Sequence, residues 1–205
     1  MIHNLKEIFG TKCTAINING DFSGFINISE KQMKFCAAVS CSFQIPIRIS
    51  EKNIGCPGAR RSLGFNKDDV YLSNLISENN HFDLEFVTRA LIEIPVIPYD
   101  IHHINLGITE DMEHFLHPDL FIMYIKPHLI TRFMHIFAKK NIQIGILPYS
   151  LLSVCGNVFA NTCNNHKVSL SFGCSESRES GGVSDDEIIL GIPFDIAELL
   201  AKEIN

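Results

Sequence analysis

Of the seven cysteines in this 205-residue chain, Cys36, Cys56, Cys155 and Cys174 stand at matching points of two separate stretches. Thiolates are soft ligands, and four of them make the ligand set of a 4Fe-4S iron-sulfur cluster or of a structural zinc ion. Cys36 precedes Cys56 by 20 residues and Cys155 precedes Cys174 by 19. In both stretches a glycine comes immediately before the second cysteine (Gly55, Gly173) and an arginine follows it by four residues (Arg60, Arg178). No pair has CxxC spacing, so any metal set must be assembled from distant turns. The competing reading is packing, since free cysteines also behave as small buried hydrophobes. Cys13, Cys41 and Cys163 are left to that role.

Cys56 lies directly before Pro57, where a helix is expected to begin. Unpaired amides at a helix N-terminus stabilise anions. With Arg60 or Arg61 they are expected to lower the Cys56 pKa and favour a nucleophilic thiolate. The same turn, with Gly55, Gly58, Arg60 and Arg178, is alternatively an anion-binding site that uses arginine as a bidentate partner. Against this, Arg60 and Arg178 could simply pair with carboxylates such as Glu187. Three histidine groupings are weaker candidates. His128, Arg132 and His135 share one helix face, His114 and His117 lie one helical turn apart beside Glu113, and His102 adjoins His103. None matches a metal-binding signature, and GxGxxG, GxxxxGK[ST] and GxSxG are all absent.

These residues need elements to hold them. Ser29 is the expected N-cap of a helix over 30–43, followed by a strand near 45–50 and a helix from Pro57 to Leu63 that Gly64 ends. Residues 84–92 are expected as a short helix or strand, and Asp111 opens a helix through His117. The apolar run LFIMYI at 120–125 predicts a buried strand, and HLITRFMHIFAKKN an amphipathic helix. A strand at 142–147, a helix at 150–162, a strand at 167–172, a loop at Cys174, a strand at 187–191 and a helix from Pro193 follow. The expected fold class is α/β, or α+β, in one domain over 1–205. Its two related halves, about 1–100 and 101–205, each carry a Cys-bearing helix, a strand and a Gly-Cys turn. If they pack about a pseudo-twofold axis, equivalent cysteines converge near it.

Composition narrows the partners. With 46% hydrophobic and 20% charged residues, the chain can bury a core without covalent staples. The net charge of −6 argues against a nucleic-acid partner. The longest charge-free stretch, 141–166, contains Pro148 and several Asn and Ser, so no membrane span is expected. An odd cysteine count without a secretory signal points to the cytoplasm. A small molecule or a redox partner, and a homo-oligomer, are compatible with the sequence.

The motifs GCPGARRSLGF at 55–65, HPDLFIMYIKPHLITRFMHIF at 117–137 and VCGNVFANTC with SFGCSESR and DDEIILGIPFDIAELL in the last third resemble domain-of-unknown-function family 169, the ArCR family. The resemblance covers most of residues 30–200. It implies a cytoplasmic protein common in anaerobes and supplies no substrate. In that family a glycine usually stands two residues after the second-half cysteine, and here the position is Glu176. The leading functional expectation is a cysteine-built metal or iron-sulfur site at the junction of two repeats. Its alternatives are a non-catalytic anion-binding module using Arg60 and Arg178, and a thiol enzyme with Cys56 as nucleophile.

Overall fold

The computed structural model describes residues 12–28, 31–66, 68–107 and 117–204. Side chains on a strand alternate between faces, so a strand that is apolar at every position must be covered on both sides. The run LFIMYI forms such a strand, β5 (Leu120–Ile125), buried throughout. Leu120, Ile122 and Tyr124 face one core and Phe121, Met123 and Ile125 the other.

β5 lies inside an eight-stranded sheet. The other strands are β1 (Cys13–Ile18), β2 (Ile26–Asn27), β3 (Ile47–Ile49), β4 (Ile104–Gly107), β6 (Ile144–Ile146), β7 (Val168–Ser171) and β8 (Ile188–Pro193), in the order β2-β3-β4-β1-β5-β8-β7-β6. β1 pairs antiparallel with β5 at the centre, Cys13 opposite Met123 and Ile16 opposite Leu120. Outward from that junction both sides run antiparallel, antiparallel, parallel.

One face of the sheet carries α1 (Phe35–Ser42), α2 (Pro57–Ser62) and a π-helical stretch, Ser153–Ala160, that continues into α6 (Asn161–Asn165). The opposite face is covered by α5 (Pro127–Lys139) through Phe133 and Phe137, and by α8 (Phe194–Ile204) through Ala197, Leu200 and Ala201. Both helices bury one face only, Phe133 and Phe137 on α5 and Ala197, Leu200 and Ala201 on α8, as amphipathic helices on a sheet require. Between α2 and β4 the chain inserts a helical hairpin, α3 (Asp69–Asn80) and α4 (Leu84–Glu93), with its own small core of Leu72, Val87, Ala90, Leu91 and Ile94 closed by Leu151. Asp68 and Asp83 cap α3 and α4 by accepting the N–H groups of Tyr71 and Phe86. The short α7 (Ser175–Glu179) follows β7.

The mixed α/β class expected from sequence is the observed one. The first expected helix starts later, at Phe35 with Lys34 as N-cap. The Ser29 cap and the helix from Asp111 fall outside the described residues. Residues 84–93 are helical, and the expected Cys174 loop carries α7. The closing helix expected from Pro193 is α8, which starts one residue later at Phe194, Pro193 being the last residue of β8. Sequence patterning did not indicate β1, β2, β4 or α3. Gly64 ends α2 as expected, at φ +80°, with its N–H donated to the Arg61 carbonyl. Among the described residues no helix is long and apolar enough to cross a membrane.

Arg61 anchors the inserted hairpin. It is buried, pairs with Asp69 at 2.7 Å and donates to the carbonyl oxygens of Ile94, at 2.8 Å, and Leu91. Truncating it leaves those carbonyls without their charged donor. Arg61→Ala is expected to lose about 3 kcal/mol in urea unfolding, and a loss below about 0.5 kcal/mol would show that the anchor is dispensable.

Candidate functional site

Two turns are built alike. Cys56 is the N-cap of α2 and Cys174 the N-cap of α7, both in extended backbone. The N–H groups of Ala59 and Gly58 favour the Cys56 thiolate, and the Ser177 N–H donates to the Cys174 carbonyl at 3.1 Å. Ser177 Oγ also accepts the Cys174 N–H at 2.9 Å and donates to the Cys174 carbonyl at 2.8 Å, which fixes the turn. The other two cysteines sit on the helices that precede these turns, Cys36 in α1 and Cys155 in the π-helical stretch. There the amides of Gly156 and Asn157 both donate to the Leu152 carbonyl, at 2.7 and 3.0 Å. Such a widened turn re-aims the side chains it carries and recurs at functional sites. Gly58 lets it come close, because a Cβ there would lie 2.2 Å from Leu152 Cδ2.

Cys36, Cys56, Cys155 and Cys174 all line one cavity of about 270 Å³. Phe35, Ile76, Phe82, Leu151 and Leu152 supply much of the remaining wall, and α3 reaches it with Asn80, whose Oδ1 accepts the Ser175 hydroxyl at 3.2 Å. The thiols influence one another across this apolar space. Burial, then Cys174 and Cys56, push Cys36 up to about 12. Burial, then Cys56 and Cys174, raise Cys155 well above the ordinary thiol value. Cys56 is also raised, contrary to the lowering expected from its place before a helix, because loss of water outweighs the amides of Ala59 and Gly58. In the absence of a cation these three thiols therefore keep their protons at neutral pH.

The arginines are not free to serve this cavity. Arg60 does not line it; its Nη2 pairs with Glu51 at 2.6 Å, and its Nη1 donates to the Glu51 and Ile54 carbonyls. Arg178 lines the wall, but its guanidinium donates to the Ser184 and Phe172 carbonyls at 2.6 and 2.5 Å. Glu187, considered as their partner, instead takes Lys12 at 2.7 Å. Gly55 and Gly58 serve packing, against Gln32 and Leu152. The cation that senses the thiols is Lys34, which sequence reasoning missed. Its ammonium pairs with Glu176 and donates to Ser180 Oγ at 3.1 Å, and its protonated form is favoured first by Glu176 and then also by Cys36 and Cys56. The signal was available in its position two residues before Cys36.

The histidine groupings do not converge. His128, Arg132 and His135 are exposed on α5, His103 Nε2 is 2.9 Å from the Gly20 carbonyl, and His114 lies outside the described residues. Among the described residues no three His, Cys, Asp or Glu side chains are placed to share one metal ion.

This arrangement defines a mixed α/β protein with a cavity walled by four cysteines. The chain belongs to the uncharacterised ArCR family, domain of unknown function 169, which it matches over residues 15–203. No curated protein and no solved structure matches it.

Raised thiol pKa values mean few thiolates and slow alkylation near neutral pH. Iodoacetamide at pH 7 is expected to modify exposed Cys41 first and to spare Cys36, Cys56 and Cys155 in the metal-free protein; peptide mass mapping that finds Cys56 modified first would contradict this electrostatic picture.

Proposed function

We propose that the four cysteines hold a 4Fe-4S cluster at the junction of two related halves, and that the protein serves one-electron exchange with a redox partner. The observation that carries this reading is that Cys36, Cys56, Cys155 and Cys174, which the sequence marks by spacing and by shared flanking residues, line the same cavity. A cluster distributes its ligands over four irons, so its cysteines stand farther apart than the ligands of a single zinc ion. The electrostatics also fit a cationic guest, since buried, mutually repelling thiolates gain most from positive charge in their midst.

The halves would be about 1–100 and 101–205 within one domain, except that the sheet groups β4 (Ile104–Gly107) with the first. Supporting this, the strand pairings run outward from the β1–β5 junction in the same sequence on both sides. Each side also places a Cys-bearing helix before its inner parallel-paired strand and a cysteine N-cap after it. The pseudo-twofold relates Cys36 to Cys155 and Cys56 to Cys174.

Anaerobic reconstitution with ferrous iron and sulfide is expected to give a brown protein with about four irons per chain, as four thiolate ligands require. Cys36→Ser, Cys56→Ser, Cys155→Ser and Cys174→Ser should each lose most of the iron, while Cys13→Ser and Cys41→Ser keep it. A colourless product without iron, or one zinc per chain in its place, would sink the proposal.

Ligation must displace the thiol protons. Because the folded-state values of Cys36, Cys56 and Cys155 lie above the ordinary one, iron loading at fixed concentration is expected to fall as pH is lowered and to rise toward alkaline pH. A pH-independent occupancy, read by visible absorption between pH 6 and 9, would show that these thiols are not the ligands.

A further inference from the structure

A second cavity lies at the end of the sheet where β5 begins and β8 ends. Its volume is about 320 Å³, within the range of small-molecule sites, and it shares no lining residue with the cysteine cavity. Part of its wall is Tyr99, ahead of β4, Asp119, just before β5, and Phe194 and Asp195, in the first turn of α8. Thr162 and Cys163 of α6, and its C-cap His166, supply more of it.

The polar groups of this wall favour a cation. No Lys or Arg is among the lining residues. Asp195 is engaged, its Oδ1 lying 3.1 Å from His166 Nε2. Asp119 is not neutralised: its Oδ2 accepts the Ile18 N–H at 2.7 Å, and among the described residues no cation pairs with it. The helical run that starts at Ser153 ends at this wall, and the carbonyl end of a helix carries partial negative charge. α8 turns its opposite, positive end to the cavity, but Asp195 in its first turn offsets that. The Phe194 ring is fixed by Phe121, stacked at 6.3 Å, and by the His117 ring, roughly perpendicular at 5.8 Å. With Tyr99 it gives the cavity aromatic surface, which attracts cations through the ring quadrupole. Thr162 is only 2% exposed, and its Oγ1 has no hydrogen-bond partner. Buried hydroxyls nearly always find one, and a helical threonine has two χ1 wells through which this hydroxyl can turn to a guest.

We propose that this cavity binds a small organic cation, an ammonium group on a short hydroxyl-bearing body, with Asp119 as counter-ion, Tyr99 and Phe194 as aromatic walls, and Thr162 Oγ1 as partner of the ligand's hydroxyl. The proposal is independent of the cluster reading and needs no metal.

The test is isothermal titration calorimetry of the full chain at pH 7 with ethanolamine, with choline, and with the neutral alcohol in which carbon replaces the choline nitrogen. At least one of the two cations is expected to bind, one per chain, about tenfold or more tighter than the neutral alcohol. Asp119→Asn keeps an acceptor for the Ile18 N–H, so it should melt near wild type while binding that cation about tenfold more weakly. Thr162→Val should melt at or above wild type, because the hydroxyl it removes has no partner, and should also bind more weakly. Cys36→Ser, in the other cavity, should bind as wild type does. The proposal is overturned if neither cation binds better than the neutral alcohol, or if Asp119→Asn binds the cation as wild type does. Should Asp119→Asn fail to fold, an unchanged affinity in Tyr99→Leu, at a half-exposed position, overturns it equally.

Discussion

The antiparallel pairing of β1 with β5 is the contact on which the rest of the molecule depends. It lies between the fourth and fifth strands of eight and joins two outer sets whose pairing senses repeat. Because a strand's alternate side chains face opposite ways, this one register puts Ile16, Ile122 and Tyr124 on the same face and Ala15, Phe121 and Met123 on the other. The first face receives the helices that carry Cys36, Cys56 and Cys155. A one-residue slip would exchange the faces and bury the wrong set, so the register is strongly constrained.

Given that framework, the cavity is governed by electrostatics more than by shape. Thiols brought together in an apolar wall cannot all ionise, and the helix N-terminus that favours the Cys56 thiolate does not reverse this by itself. Loss of water prevails, with mutual repulsion behind it. Lys34 offers the cavity partial compensation, but Glu176 occupies its ammonium. The Arg60 and Arg178 guanidiniums, the obvious cations in the sequence, are spent on loop carbonyls and carboxylates and so act as local braces.

What could be read from the chain divides along physical lines. The second half was legible because its strands are continuous apolar runs and its helices have clear amphipathic spacing, as LFIMYI and HLITRFMHIFAKK show. The cysteine quartet was legible because both sets share a glycine before and an arginine after the second cysteine. β1 escaped because CTAINI mixes polar and apolar residues that are nonetheless buried: Thr14 donates to the Gly107 carbonyl at 2.8 Å and accepts from Ser42, a satisfaction only tertiary structure reveals. α3 escaped because its polar sequence, DVYLSNLISENN, buries only Leu72 and Ser73. The sign of the Cys56 shift was misjudged for a related reason: the helix N-terminus is visible in sequence, but the depth of burial that outweighs it is not.

The central pairing also sets an order of assembly. β1 closes against β4 and β5, whose paired residues lie 86 or more positions further along the chain, as Ile18 with Ile104, so the sheet centre is a long-range contact. During synthesis Cys36 and Cys56 emerge long before Cys155 and Cys174 exist. The cavity wall that the four cysteines share is therefore completed only when nearly the whole polypeptide has been made and the sheet has closed.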